Sequence, residues 1–167
     1  IKHIALDASK RGKKVLFNPA PACHIDPELM KAISILVVNE VEAEFISGIA
    51  YTKDNIEAIA DSLIKAGAQN VVVTLGSAGA YMKKAKGSLR ISGFKVNAID
   101  TIAAGDTFCG ALAVACAQKE IDYESLWFSN AAAAIAVTRS GAQPSIPILS
   151  EVMQFLADHK KEETAPN

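Results

Sequence analysis

The chain of 167 residues carries 17 Lys+Arg against 18 Asp+Glu, a net charge of −1, with 50% hydrophobic and 21% charged residues. That composition excludes a wholly disordered chain, and the near-zero charge gives no general attraction to nucleic acid or to an anionic membrane. No apolar run approaches membrane length; Ala131–Val137 is far too short. One domain is the expectation from length.

The opening stretch Ile1–Lys10 (IKHIALDASK) lacks the pattern of a signal or transit peptide and reads as a helix already in progress. The chain is therefore expected to be one part of a longer polypeptide. Continuous apolar runs follow at Lys14–Phe17 (KVLF), Ile35–Val38 (ILVV) and Val71–Leu75 (VVVTL), ended by Asn18, Asn39 and Gly76. Such runs predict strands covered on both faces, hence a parallel sheet. Between them, Glu40–Ile46 predicts a short helix ending near Gly48. Ile56–Ala66 predicts a longer one with Ile56, Ile59, Ala60, Leu63 and Ile64 on one stripe and Gly67 as its stop.

Gly79–Lys84, Ser88–Ser92 and Lys95–Ile99 read as short strands punctuated by Gly87 and Gly93, a meander at the sheet edge. Lys83, Lys84 and Lys86 on that meander read as a solvated edge that blocks further strand pairing. Gly105–Lys119 and Tyr123–Thr138 predict alanine-rich helices. Ser150–Lys160 predicts a last helix with Val152, Met153, Phe155 and Leu156 for packing, and the polar tail Glu162–Asn167 is expected to fray. The β-α-β-α order predicts an α/β layered sheet with helices on both faces. Ligands in such sheets sit beyond the carboxyl ends of the strands, which puts Asn18, Asn39, Thr74–Gly79 and the segment after Ile99 on one rim.

Cys23, Cys109 and Cys116 contain no CxxC pair. They read as buried free thiols in a reducing compartment, with the cytoplasm as the expected location. His3, His24 and His159 lack ligand spacing.

The segment richest in chemistry is Asp100–Phe108 (DTIAAGDTF). Small residues deliver the chain into a helix start, where bare N–H groups and the positive end of the helix dipole favour an anion such as phosphate. Asp106 sits at that point. A carboxylate there repels a phosphate unless it takes the proton of an attacking hydroxyl. The plainer alternative is that Asp106 caps the helix.

Asp100–Leu112 (DTIAAGDTFCGAL) resembles the second signature of the ribokinase-like (PfkB) family of carbohydrate kinases. Three further stretches fit in order: Asn18–Ala22 (NPAPA), Asn39–Glu44 (NEVEAE) and Thr74–Gly79 (TLGSAG). The closing Ala131–Ser145 (AAAAIAVTRSGAQPS) is similar to the ribokinases more than to fructokinases or adenosine kinases. The resemblance implies a three-layer αβα sandwich with a mostly parallel sheet. It also implies that the first half, with its small β lid and sugar-gripping residues, is absent. Residues 1–167 would form the C-terminal, nucleotide-binding and catalytic part of the kinase domain.

The activity implied is ATP-dependent phosphorylation of a sugar hydroxyl, D-ribose to D-ribose 5-phosphate in the intact enzyme. Fructokinase or deoxyribokinase activity is the alternative, as is a non-catalytic nucleotide-binding fragment when the chain stands alone. The partners implied are ATP and a small sugar, with no nucleic acid and no membrane, and a homodimer through the missing lid.

Carried over by position, Asp106 would be the catalytic base and Ala103, Ala104 and Gly105 the anion hole. Asn39, Thr74, Gly76, Ser77, Gly79, Gly105 and Asn130 would bind ATP, and Glu42 would hold magnesium through water. Asp100, Ile102, Ala136, Arg139, Gly141 and Ser145 would hold a potassium ion that activates the enzyme. The plainer readings stay open beside these: a solvated Glu42, glycines serving a tight turn, and Asp100 as a turn cap or a salt-bridge partner of Arg139. Cys109 departs from the signature's usual Asn, and Asn130 from the commoner His.

Overall fold

The computed structural model describes residues 1–117 and 119–164, with side chains through 159. It divides into two units, Ile1–Ser92 and Gly93–Asn167.

The first unit holds the sheet. Its elements are α1 (Lys2–Lys10), β1 (Leu16–Phe17), α2 (Pro27–Ala32), β2 (Ile35–Asn39), α3 (Glu40–Ser47), α4 (Ile56–Lys65), β3 (Asn70–Thr74), β4 (Ala80–Lys84) and β5 (Ser88–Ile91). The strands lie in the order β1-β2-β3-β4-β5; β1, β2 and β3 run parallel, while β4 and β5 form an antiparallel meander beyond them. The register aligns Leu36 with Val71 and Val38 with Val73. These four share one face and pack with Leu29 and Met30 of α2, Ala43 of α3 and Ile59, Ala60 and Leu63 of α4. The alternate residues Ile35, Val37, Val72, Ala80 and Met82 are buried as well. Both faces are thus withdrawn from water, which is why these strands read as continuous apolar runs.

The α4 stripe packs as the spacing predicts, with Ile64 half-buried at its margin. Gly67, at φ 124°, follows the helix, and a Cβ there would lie 2.9 Å from the Lys31 side chain. Gly48 ends α3 in the left-handed region, φ 70°.

The second unit is helical: α5 (Ala104–Ala115), α6 (Tyr123–Ala136) and α7 (Leu149–Thr164). Phe94, Ala131, Ala132, Ala134, Ile135, Val152 and Leu156 form its apolar cluster, with Trp127 and Phe155 against Phe94.

Several expectations are corrected. Lys95–Ile99 is not a strand. Phe94 and Val96 alternate inward, but they pack on the helical cluster, and no strand pairs with them among the described residues. Alternating burial without a partner does not make a ladder. The first strand is shorter than Lys14–Phe17, because Lys14 is exposed and only Leu16 and Phe17 pair with β2. The two alanine-rich helices end at Ala115 and Ala136, earlier than expected, and the last helix runs further at both ends.

Met153 is 56% exposed on α7, so it does not join the packing. Of the tail Glu162–Asn167, residues 162–164 continue α7, while 165–167 lie outside the described residues. Cys116 is buried, but Cys109 is half-buried and Cys23 is exposed in the irregular segment before α2. Lys83 is no solvated edge charge. It sits on β4, an interior strand, and reaches Glu57 Oε1 at 2.9 Å and Asp61 Oδ1 at 3.0 Å on α4. These two carboxylates raise its ammonium pKa.

Candidate active site

In the first unit, β1, β2 and β3 all point their carboxyl ends one way. At those ends lie Asn18 just after β1, Asn39 as the last residue of β2, and Thr74, the last residue of β3, followed by the turn to Gly79. The register sets Asn39 directly beside Thr74. Thr74 Oγ1 donates to the Val38 carbonyl at 3.4 Å.

The turn from β3 to β4 is tight, with Leu75 N–H donating to the Gly79 carbonyl at 2.8 Å. Gly76 at φ 53° and Gly79 at φ 95°, ψ −129° take conformations that L side chains avoid. A Cβ at Gly76 would meet nothing within 4 Å. Its glycine serves backbone conformation and leaves the rim clear. Ser77 lies exposed in the same turn.

Asn39 caps α3, and the cap is reciprocal. Asn39 Oδ1 accepts from Glu42 N–H at 2.8 Å, and Glu42 Oε2 accepts from Asn39 N–H at 2.9 Å. Asn18 Nδ2 donates to the Val37 carbonyl at 2.9 Å and to Glu42 Oε2 at 3.4 Å. Glu42 is 7% exposed, so it is not the solvated helix residue of the plainer reading. The sequence signal was present, since N-x-x-E before an apolar helix is a capping box. All donors converge on Oε2, and Oε1 accepts no hydrogen bond among the described residues. A buried carboxylate with one open oxygen fits a hard cation held through water.

In the second unit the start of α5 is built differently. Ala103, the N-cap, is left-handed at φ 62°, ψ 8°, and has no side-chain cap bond. A non-glycine residue there carries strain of about 1–2 kcal/mol. Ala103 carbonyl accepts from Thr107 N–H at 2.8 Å, and Thr101 carbonyl from Ala104 N–H at 3.3 Å. The amides of Gly105 and Asp106 have no hydrogen-bond acceptor among the described residues and lie at the dipole's positive end, the arrangement that receives anions. A Cβ on Gly105 would meet nothing within 4 Å, so internal packing does not demand glycine there.

Asp106, in the first turn, is exposed and makes no hydrogen bond or ion pair among the described residues. It is therefore not the helix cap of the plainer reading. Thr107 Oγ1 is buried without a hydrogen-bond partner, a feature the sequence did not signal.

Asp100 closes the turn before α5. Its Oδ1 accepts from Ile102 N–H at 2.9 Å and its Oδ2 from Gly141 N–H at 3.0 Å. These two amides hold its carboxyl below the usual carboxylate range. The turn-cap reading holds and the Arg139 salt bridge does not. Arg139 instead forks onto Glu151, Nη2 to Oε1 at 2.6 Å and Nη1 to Oε2 at 3.3 Å. The guanidinium, with the Ile148 amide, holds Glu151's carboxyl low.

Asp100, Ile102 and Gly141 are thus brought together. Ala136 accepts from Arg139 N–H at 3.1 Å through its carbonyl. Ser145 is fully buried and donates through Oγ to the Ala142 carbonyl at 2.6 Å. The Asp100 carboxylate has no cationic side chain among its partners, which suits a monovalent cation beside it. Asn130 is buried within α6 at 7% exposure.

The sequence of residues 2–149 matches the family described as "pfkB family carbohydrate kinase". The chain belongs to that family. It is 42% identical over 150 residues to a ribokinase of Haemophilus influenzae, covering 89% of this chain and 49% of that protein. It is 33% identical over 159 residues to a deoxyribokinase of Salmonella typhi, covering 94% and 52%. Among solved structures, an Arabidopsis thaliana ribokinase complexed with ribose and ATP superposes with a TM-score of 0.85 at 30% identity, over 93% of this chain and 53% of that one. The α/β fold is therefore the ribokinase-like one, and the chain spans about half the length of the curated relatives it matches. No helix among the described residues is long and apolar enough to cross a membrane.

Proposed function

We propose that the whole protein transfers the γ-phosphoryl group of ATP to a hydroxyl of D-ribose, giving D-ribose 5-phosphate. The observation that carries this reading is Asp106: an exposed carboxylate without a partner among the described residues, in the first turn of a helix whose N-cap makes no side-chain cap bond. A carboxylate kept free at an anion-receiving helix start suits a general base for a hydroxyl attacking a phosphoryl group. Ala103, Ala104 and Gly105 would supply the amides that meet charge developing on the transferred group.

Asn39, Thr74, Gly76, Ser77 and Gly79 are assigned to the nucleotide, and Asn130 to the side of its base. Magnesium, held through water by Glu42, would neutralise phosphate charge, and potassium at Asp100 and the 136–145 loop would steady the segment leading into α5. Pairing into a homodimer is proposed through a lid outside these residues. The exposed thiol of Cys23 suits a reducing compartment, in keeping with the cytoplasm.

The deoxyribokinase likeness supports 2-deoxyribose as the second reading. The test is nucleotide-dependent phosphorylation of ribose, 2-deoxyribose and fructose by the whole protein, with the product identified by NMR. Ribose 5-phosphate formed at the highest kcat/KM supports the proposal. Preference for deoxyribose selects the second reading, and absence of sugar-dependent ADP release overturns both.

A further inference from the structure

We propose that Glu151, at the start of α7, is a positioning residue that sets the affinity of the loop 139–148 for a monovalent cation. The inference rests on the cation reading of Asp100 and that loop.

Glu151 grips both ends of the segment. Its carboxylate accepts the forked guanidinium of Arg139 through both oxygens, at 2.6 and 3.3 Å. Oε2 also accepts from Ile148 N–H at 2.9 Å. Between these ends lie Gly141 and Ser145. Gly141, at φ 86°, is tied to Asp100 Oδ2 at 3.0 Å, and Ser145 is buried. The loop has no strand or long helix of its own, only a short 3-10 turn at Gln143–Ser145.

Backbone carbonyls bind a cation only if they are held converging; here Glu151 holds both ends of the loop, while Asp100 holds Gly141 between them. The Arg139 side chain also matters in a second way. By taking the guanidinium, Glu151 keeps a competing positive charge from the Asp100 carboxylate. Released, that guanidinium is a candidate counter-ion for Asp100 and a rival to the bound cation. Glu151 thus acts by shape and by charge, without touching the cation.

The experiment uses the whole protein and three variants, Glu151→Ala, Glu151→Gln and Arg139→Gln. Melting temperature is followed while potassium chloride replaces choline chloride at constant ionic strength, together with hydrogen exchange of residues 139–148. The half-saturating potassium concentration should rise roughly tenfold in Glu151→Ala, the scale of losing a charge-assisted anchor. Glu151→Gln, which keeps an acceptor for Ile148, should lie between it and the wild type. Arg139→Gln spares the Ile148 bond and removes the rival charge, so it should shift less than Glu151→Ala. Exchange in 139–148 should quicken in Glu151→Ala without potassium and slow again when it is added.

An unchanged potassium midpoint in Glu151→Ala, with a normal wild-type response, overturns the positioning role alone. A wild type whose melting temperature does not distinguish potassium from choline overturns the cation reading and this proposal with it. Should Glu151→Ala fail to fold, Glu151→Gln and Arg139→Gln decide the outcome by the same midpoint.

Discussion

The starts of α3 and α5 place an acidic residue at the same helical position and use it in opposite ways. In α3, Glu42 turns back to the Asn39 amide, takes a second donor from Asn18, and is buried. In α5, Asp106 stands three residues after the N-cap with no partner, beyond an alanine forced into the left-handed region. The Asp122–Ser125 box at the start of α6 follows the α3 pattern. Local stability is therefore built into α3 and α6 and forgone at α5. Sites that must meet a changing ligand charge are where such locally unfavourable choices are expected to survive.

Substitutions in the whole protein test this contrast. The largest effect is expected at Asp106→Asn. It should lower kcat by at least about 10²-fold while leaving ATP affinity near wild type, as loss of a general base does. Turnover within a few-fold of wild type would remove the residue from that role.

Gly105→Ala comes next. A Cβ there meets no neighbour, so unfolding stability should rise by about 0.5–1 kcal/mol. Turnover should nonetheless drop about tenfold or more if the phosphoryl group approaches these amides closely. A stabilised, fully active variant would refute the anion-hole assignment.

Ala103→Gly relieves the left-handed strain and should gain up to about 1 kcal/mol in urea unfolding, less the entropy of a freer unfolded chain. A loss of stability would show that the strain at φ 62° is smaller than that entropy.

The smallest effect concerns acid. Asp100's carboxyl is held low by two amides. Its contribution to stability is therefore complete above the ordinary carboxylate pKa of about 3.9 and disappears as pH falls through the lower folded value. Asp100→Asn should flatten that acid arm of the stability profile. An unaltered arm would show that the Gly141 bond does not report on folding.

Much of this was legible before any coordinates. Continuous apolar runs marked β2 and β3 because both sheet faces are buried. The polar and glycine residues ending those runs fell on one rim because parallel strands share a carboxyl end. What stayed hidden depended on partners distant in sequence. Lys83 looked like an edge charge, since nothing local reveals Glu57 and Asp61 on α4. Arg139 reads as a partner for Asp100 because Glu151 lies twelve positions away, on α7. Lys95–Ile99 alternates like a strand, but alternation reports burial and not pairing. The left-handed Ala103 was hidden because alanine carries no sign of a positive φ. The capping box at Asn39–Glu42 is legible in the sequence as N-x-x-E before an apolar helix.

The comparison of the two helix starts is tested most directly by the unfolding free energies of Glu42→Ala and Asp106→Ala, measured side by side. Glu42→Ala should cost about 2 kcal/mol, the sum of a lost cap and an amide left short of an acceptor. Asp106→Ala should fall within about 0.5 kcal/mol of wild type, because the lost dipole interaction is offset by the better helix propensity of alanine. An Asp106→Ala cost equal to that of Glu42→Ala would mean that Asp106 is committed to holding its helix and is not held free for chemistry.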